Sequence, residues 1–137
     1  MIITYLQTTN DSQAQMLVNK ENSYVDLCSS IIPFDKRDKG ALILALIIQK
    51  KISKLIVQNI SMLGRNQINV LNTIDFLINN NVCLVSQSEQ LETMDEYGRV
   101  KQDTILFLNI FRSLANMEYK NRKESHRYGI QQAKDLG

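Results

Sequence analysis

Two short loops hold the residues best suited to chemistry, Gln7-Thr8-Thr9-Asn10-Asp11 and Ser61-Met62-Leu63-Gly64-Arg65. A hydroxyl from the first and a guanidinium from the second, beside a helix N-terminus, make a cradle for a phosphate. The helix end offers unpaired N–H groups, and the guanidinium offers a charged fork. Taken singly, Thr9 reads as a helix cap and Arg65 as a solvated turn residue. Other chemistries lack parts. Neither Gly-x-Gly-x-x-Gly nor Gly-x4-Gly-Lys-Ser/Thr is present, which disfavours a nucleotide cradle. The single His126 lies among polar residues without a Cys or Asp partner at triad spacing. Cys28 and Cys83 are far apart, so no metal site, redox pair or disulfide scaffold is expected. Asp35, Asp38 and the carboxylates at 92–96 read as solvated loop charges.

The elements that must position these loops follow from periodicity. Residues 1–8 are β-branched and aromatic and predict a buried first strand. The capping types Thr9-Asn10-Asp11-Ser12 predict a helix to about Asn19, with Ala14, Leu17 and Val18 on its inner face. Residues 24–34, closed by Pro33, read as a second strand, and 34–40 as a charged loop. Gly40–Ile52 is apolar nearly all round, which predicts a helix buried on more than one side. Residues 53–60 read as a central strand, Gln67–Ile78 as a helix stopped by three asparagines, and Val82–Ser86 as another buried strand. Residues 87–103 are polar and read as irregular. Strands alternating with helices at this spacing predict an α/β fold: a mostly parallel central sheet flanked by helices.

From Thr104 to Asp135 there is no proline and one glycine, so a single helix of roughly 30 residues would reach ~45 Å. Its first half carries Ile105, Leu106, Leu108, Ile110, Phe111, Leu114 and Met117. Its second half is polar and basic, with Lys120, Arg122, Lys123, Arg127 and Lys134. A helix that outruns its own core meets another chain, a nucleic acid or both.

At 137 residues the chain suits one domain, divided here into an α/β core (1–103) and a long helix (104–137) of that same domain. No apolar run approaches the roughly 18 residues of a membrane span, so no membrane partner is expected. No basic region precedes the first apolar run, so no secretory signal is expected, and the cysteine usage points to the cytoplasm. The formal net charge of +2 leaves the placement of charge to decide between partners. Lys50, Lys51 and Lys54 are suited to DNA or, equally, to a helix C-terminus.

Taken together in order, these motifs resemble the serine recombinase family of resolvases and DNA invertases. Tyr5-Leu6-Gln7-Thr8-Thr9-Asn10-Asp11-Ser12-Gln13 is similar to that family's Tyr-x-Arg-x-Ser-x-Asp-x-Gln. Ser61-Met62-Leu63-Gly64-Arg65 resembles its Asp-Arg-Leu-Gly-Arg, and Lys39-Gly40 its Arg-Pro-Gly-Leu. Leu114-Ala115-Asn116-Met117-Glu118 resembles Leu-Ala-Glu-Phe-Glu. The resemblance implies a resolvase-like fold and site-specific DNA recombination. A hydroxyl attacks a phosphodiester, a covalent hydroxyl–phosphate link to DNA forms, and arginines stabilise the charge with no cofactor. It places Thr9 at the nucleophile, with Ser12 and Thr8 as fallbacks if the register differs, and Arg65 on the phosphate. Gln7 then stands where an arginine would be. The same resemblance implies that Lys120, Arg122, Lys123 and Arg127 contact DNA. The chain would be a homodimer, or a tetramer when two dimers synapse, ending about where a linker to a helix-turn-helix domain would start.

The departures bear on activity. Thr9 stands for serine, Gln7 and Met62 for arginines, Ser61 for aspartate, and Asp38 for a further arginine next to Arg37. One lost preorganised donor costs about 3 kcal/mol, or roughly 10²-fold in rate. The readings are therefore an enzyme that recombines DNA through Thr9, impaired or not, and an inactive relative that dimerises and organises DNA. A small-ligand α/β module is a third reading, and the basic-ended helix argues against it.

Overall fold

The computed structural model describes the backbone of residues 1–136 and the side chains of residues 1–118 and 120. A five-stranded sheet runs in the order β2-β1-β3-β4-β5, built from β1 (Ile2–Thr8), β2 (Ser23–Leu27), β3 (Lys54–Val57), β4 (Cys83–Ser86) and β5 (Leu91–Glu92). The first four strands pair in parallel, and β5 folds back antiparallel on β4. Helices α1 (Asp11–Val18), α2 (Asp38–Ile48) and α3 (Gln67–Asn79) connect the parallel strands, and α4 (Gln102–Leu136) closes the chain. The path steps from β1 outward to β2, then back across β1 to β3. With the right-handed crossovers such connections adopt, this reversal puts α1 on the opposite face from α2 and α3. Ile3, Tyr5, Leu55, Val57 and Leu84 on the strands meet Phe34, Ile43, Ile47, Ile74, Leu77 and Leu108 in the core.

Several sequence expectations shift. The second strand ends at Leu27 instead of running to residue 34. Its neighbour β1 stops at Thr8, so after Cys28 N–H donates to Thr8 O (3.1 Å) no strand remains to pair with. Val18 is 51% exposed, and only Ala14 of α1 is buried. α2 starts at Asp38 and stops at Ile48, with Lys50 in the left-handed region (φ 58°) turning the chain toward β3. It is buried on one face, not on more than one: Gly40, Ile43 and Ile47 face the core, while Leu42 and Ile48 (66%) are exposed. The central strand is only Lys54–Val57, because Ile60–Leu63 wind into a 3₁₀ turn. Residues 87–103 are partly ordered: β5 and an antiparallel Met94–Val100 bridge lie there.

α4 carries two apolar stripes. Thr104, Leu108 and Ala115 are buried, with Phe107 and Phe111 packed on the core beside them. Ile105, Leu106, Ile110, Leu114 and Met117 are exposed. The helix is anchored on α3 by Arg112, whose Nη2 donates to both carboxylate oxygens of Asp75 at 3.0 Å. Among the described residues no helix is long and apolar enough to cross a membrane.

Candidate active site

In an open parallel sheet the crevice lies beyond the strand C-termini, where neighbouring crossovers leave in opposite directions. Here that point falls between β1 and β3. A cleft of about 390 Å³ opens there, lined by Gln7, Ser30, Ser61, Arg65, Asn66 and Gln67 on its polar side and Ile60, Val70 and Phe111 on its apolar side. Its floor depends on Gly64. A Cβ on that residue would lie 2.6 Å from both Asn69 Oδ1 and Val70 N, so only glycine lets the loop close on α3. Asn66 caps α3 by accepting from Asn69 N–H (2.8 Å). Asn69 Oδ1 in turn accepts from Arg65 N–H (2.9 Å) and Phe34 N–H (3.3 Å).

Gln7 and Arg65 are therefore brought to one cleft. Arg65 is exposed, and its guanidinium has no partner among the described residues. Gln7 is engaged: its Nε2 donates to Cys28 O at 2.6 Å. Ser61 bonds Asn59 Oδ1 through its hydroxyl, and the Met62 side chain is buried in the core. Thr9 sits at the C-terminal end of β1, exposed, with no hydrogen-bond partner for its hydroxyl among the described residues, and it does not line the cleft.

Two sequence readings are corrected here. Asn10, not Thr9, caps α1, its Oδ1 accepting from Ser12 N–H (2.9 Å) and Gln13 N–H (3.3 Å). Thr8 is no free nucleophile: it is buried, its hydroxyl donates to Gln13 Oε1 (2.8 Å), and it accepts from Asn10 N–H (3.0 Å). Ser12 is exposed in the first turn of α1. Lys120 is exposed on α4; the side chains of Arg122, Lys123, Arg127 and His126 lie outside the described residues.

Beneath the cleft is a polar cluster that composition alone does not show. Arg37 is 2% exposed although it stands in the run Asp35-Lys36-Arg37-Asp38-Lys39, read above as a solvated loop. Its Nε donates to Ile32 O (2.9 Å), Nη2 to Ser30 O (3.3 Å), and Nη1 to Met62 O (2.5 Å) and Tyr5 Oη (3.3 Å). Tyr5 Oη donates onward to Asp26 Oδ2 (2.8 Å). Asp26 also accepts from Lys39 N–H (2.8 Å) and Gly40 N–H (3.0 Å), occupying the N-terminus of α2. Gly40 is needed there, because a Cβ would lie 2.1 Å from Phe34 O. Burial pushes the Tyr5 phenol far above its ordinary range, so it stays protonated and keeps donating. Burial likewise raises the Cys28 thiol, which disfavours a reactive thiolate. The sequence signal for this cluster was an aspartate inside the apolar run Tyr24-Val25-Asp26-Leu27: a charge in a strand needs partners.

Comparisons with known proteins give the fold and the family. No curated protein matches the chain. The structure is similar to the crystal structure of the N-terminal catalytic domain of TP901-1 integrase, with a TM-score of 0.65 and 16% identity over 88% of this chain and 98% of that one. At that identity the likeness is one of fold. The family described as "Resolvase, N terminal domain" matches residues 5–137, nearly the whole chain, and the chain belongs to that family.

Proposed function

We propose that this chain serves DNA recombination of the serine-recombinase type, acting in the cytoplasm as a domain whose own strand cleavage is impaired. In the full reaction Thr9 Oγ1 would form a bond to phosphorus, the P–O3′ bond would break, and the 3′ oxygen would leave with a proton. The observation that carries the impairment is electrostatic. Among the described residues lining the cleft, Arg65 supplies the one guanidinium, and it is free. Gln7 is neutral and held by Cys28 O, Met62 is in the core, and Arg37 is turned inward. A pentavalent phosphate needs several preorganised donors, and each one missing costs roughly 10²-fold. Threonine adds a stiff β-branch where in-line attack needs freedom.

The exposed stripe Leu106, Ile110, Leu114 and Met117 on α4 supports pairing with a second copy, the homodimer being the unit that two such dimers would join as a tetramer. Lys120, Arg122, Lys123 and Arg127, further along α4, are the DNA contacts. Four such contacts give weak, sequence-indifferent binding, with a log–log salt slope of about −3 to −4.

Covalent trapping on supercoiled DNA tests the reading. The native chain yields little protein–DNA adduct, and Thr9→Ser with Gln7→Arg raises the yield by about 10² or more. Abundant adduct from the native chain, abolished in Thr9→Ala, would instead make it a working recombinase with a threonyl nucleophile. Absence of both DNA binding and adduct in every variant would remove the DNA function.

A further inference from the structure

We propose that Arg37 is a positioning residue for the cleft, acting from the interior through the backbone of both flanking loops and never touching the phosphodiester. The inference rests on the proposed recombination function for its purpose, and on the hydrogen bonds alone for its mechanism. Ser30 and Ser61 both line the cleft, on the loops that follow β2 and β3, the two strands flanking β1. Arg37 takes the carbonyl of Ser30 itself and of Ile32 on one wall, and that of Met62, next to Ser61, on the other. No side chain other than a guanidinium offers donors in a planar fork wide enough to hold all three. Its remaining bond, to Tyr5 Oη, ties the clamp to β1 two residues before Gln7, and Tyr5 continues it to Asp26 and the start of α2. The Phe34 ring lies under the guanidinium, 5.9 Å from its carbon. A cation so buried and so bonded does not line the cleft; what it fixes is the separation of the two walls.

Arg37→Lys keeps the charge and loses the fork, and Arg37→Met keeps much of the volume and loses both. Hydrogen exchange on the full chain is the direct test. We expect the amides of Ile32, Met62 and Arg65 to exchange at least about tenfold faster in both variants, while those of β1, β3 and β4 stay within twofold. Uniform acceleration through the sheet would make Arg37 a global brace only, and unchanged exchange would remove the clamp; either overturns the proposal. A second readout separates positioning from phosphate contact. With a short duplex as probe, a direct contact would lower the salt slope by about one in Arg37→Met, and that outcome also overturns it. Positioning leaves the slope unchanged. In the Thr9→Ser, Gln7→Arg background it slows adduct formation at saturating DNA by about tenfold without weakening binding. If no variant binds DNA, the recombination function fails, and the exchange pattern still decides on Arg37.

Discussion

The cleft and the cluster beneath it start from the same strand, two residues apart. Tyr5 enters the interior and Gln7 reaches the cleft. Inside, no described buried side-chain polar atom lacks a partner, and the Arg37 guanidinium, Tyr5 hydroxyl and Asp26 carboxylate satisfy one another and the start of α2. At the surface, the Thr9 hydroxyl and the Arg65 guanidinium are free among the described residues, and the Gln7 amide is uncharged. The difference follows from solvation. A buried ion without partners costs several kcal/mol, so losing the carboxylate that serves the inner cluster would cost the fold heavily. A surface cation is hydrated when idle, so exchanging one at the cleft for a neutral side chain would cost the fold almost nothing. Scaffold and the proposed chemistry therefore sit on separate residues of one region.

The largest effect expected from that separation is on stability. Asp26→Ala strips the acceptor from Lys39 N–H, Gly40 N–H and Tyr5 Oη and leaves Arg37 uncompensated. It should destabilise the chain by about 3–5 kcal/mol in urea unfolding. A loss under about 1 kcal/mol would break the contrast, since the inner cluster would then be as dispensable as the surface. Next comes the reverse manipulation. Thr9→Ser with Gln7→Arg should gain about 10² in adduct yield, near 3 kcal/mol of transition-state stabilisation, with an unchanged unfolding midpoint. Gly64→Ala lies between the two regions, because its Cβ would press on Asn69 and Val70. A cost of about 1–3 kcal/mol, with Arg65 displaced and DNA affinity reduced, would show how far the cleft depends on its floor.

The sequence shows one of these regions far better than the other. The α/β alternation, the two loops at the strand ends and the apolar start of α4 are local patterns, and the structure has them. Gln7 and Arg65 do share a cleft because the β1–β3 adjacency follows from topology. Arg37 was not legible. Its neighbours Asp35, Lys36, Asp38 and Lys39 are exposed, and its own burial is set by carbonyls at residues 30, 32 and 62, which no periodicity brings together. The end of β2 was misplaced for a similar reason: Ile31 and Ile32 are apolar, but pairing stops where β1 stops. Thr9 looked like a cap beside Asn10, and only the backbone angles at Asn10 (φ −96°, ψ 112°) decide which of them caps the helix.

The smallest expected effect comes from a carboxylate that organises backbone as Asp26 does, but in water. Asp95 Oδ1 accepts from Tyr97 N–H and Arg99 N–H, both at 2.9 Å, and Oδ2 faces Arg99 Nε at 3.3 Å. These bonds, the Arg99 amide first, hold its carboxyl below the ordinary carboxylate range. A depressed folded pKa means the turn's contribution is present above the unfolded carboxylate value and fades as pH falls through the folded one. Nuclear magnetic resonance should therefore show the Tyr97 and Arg99 amides shifting together below about pH 4. Asp95→Asn should abolish that step and lower the unfolding midpoint at neutral pH only slightly, because solvent screens the half-buried carboxylate.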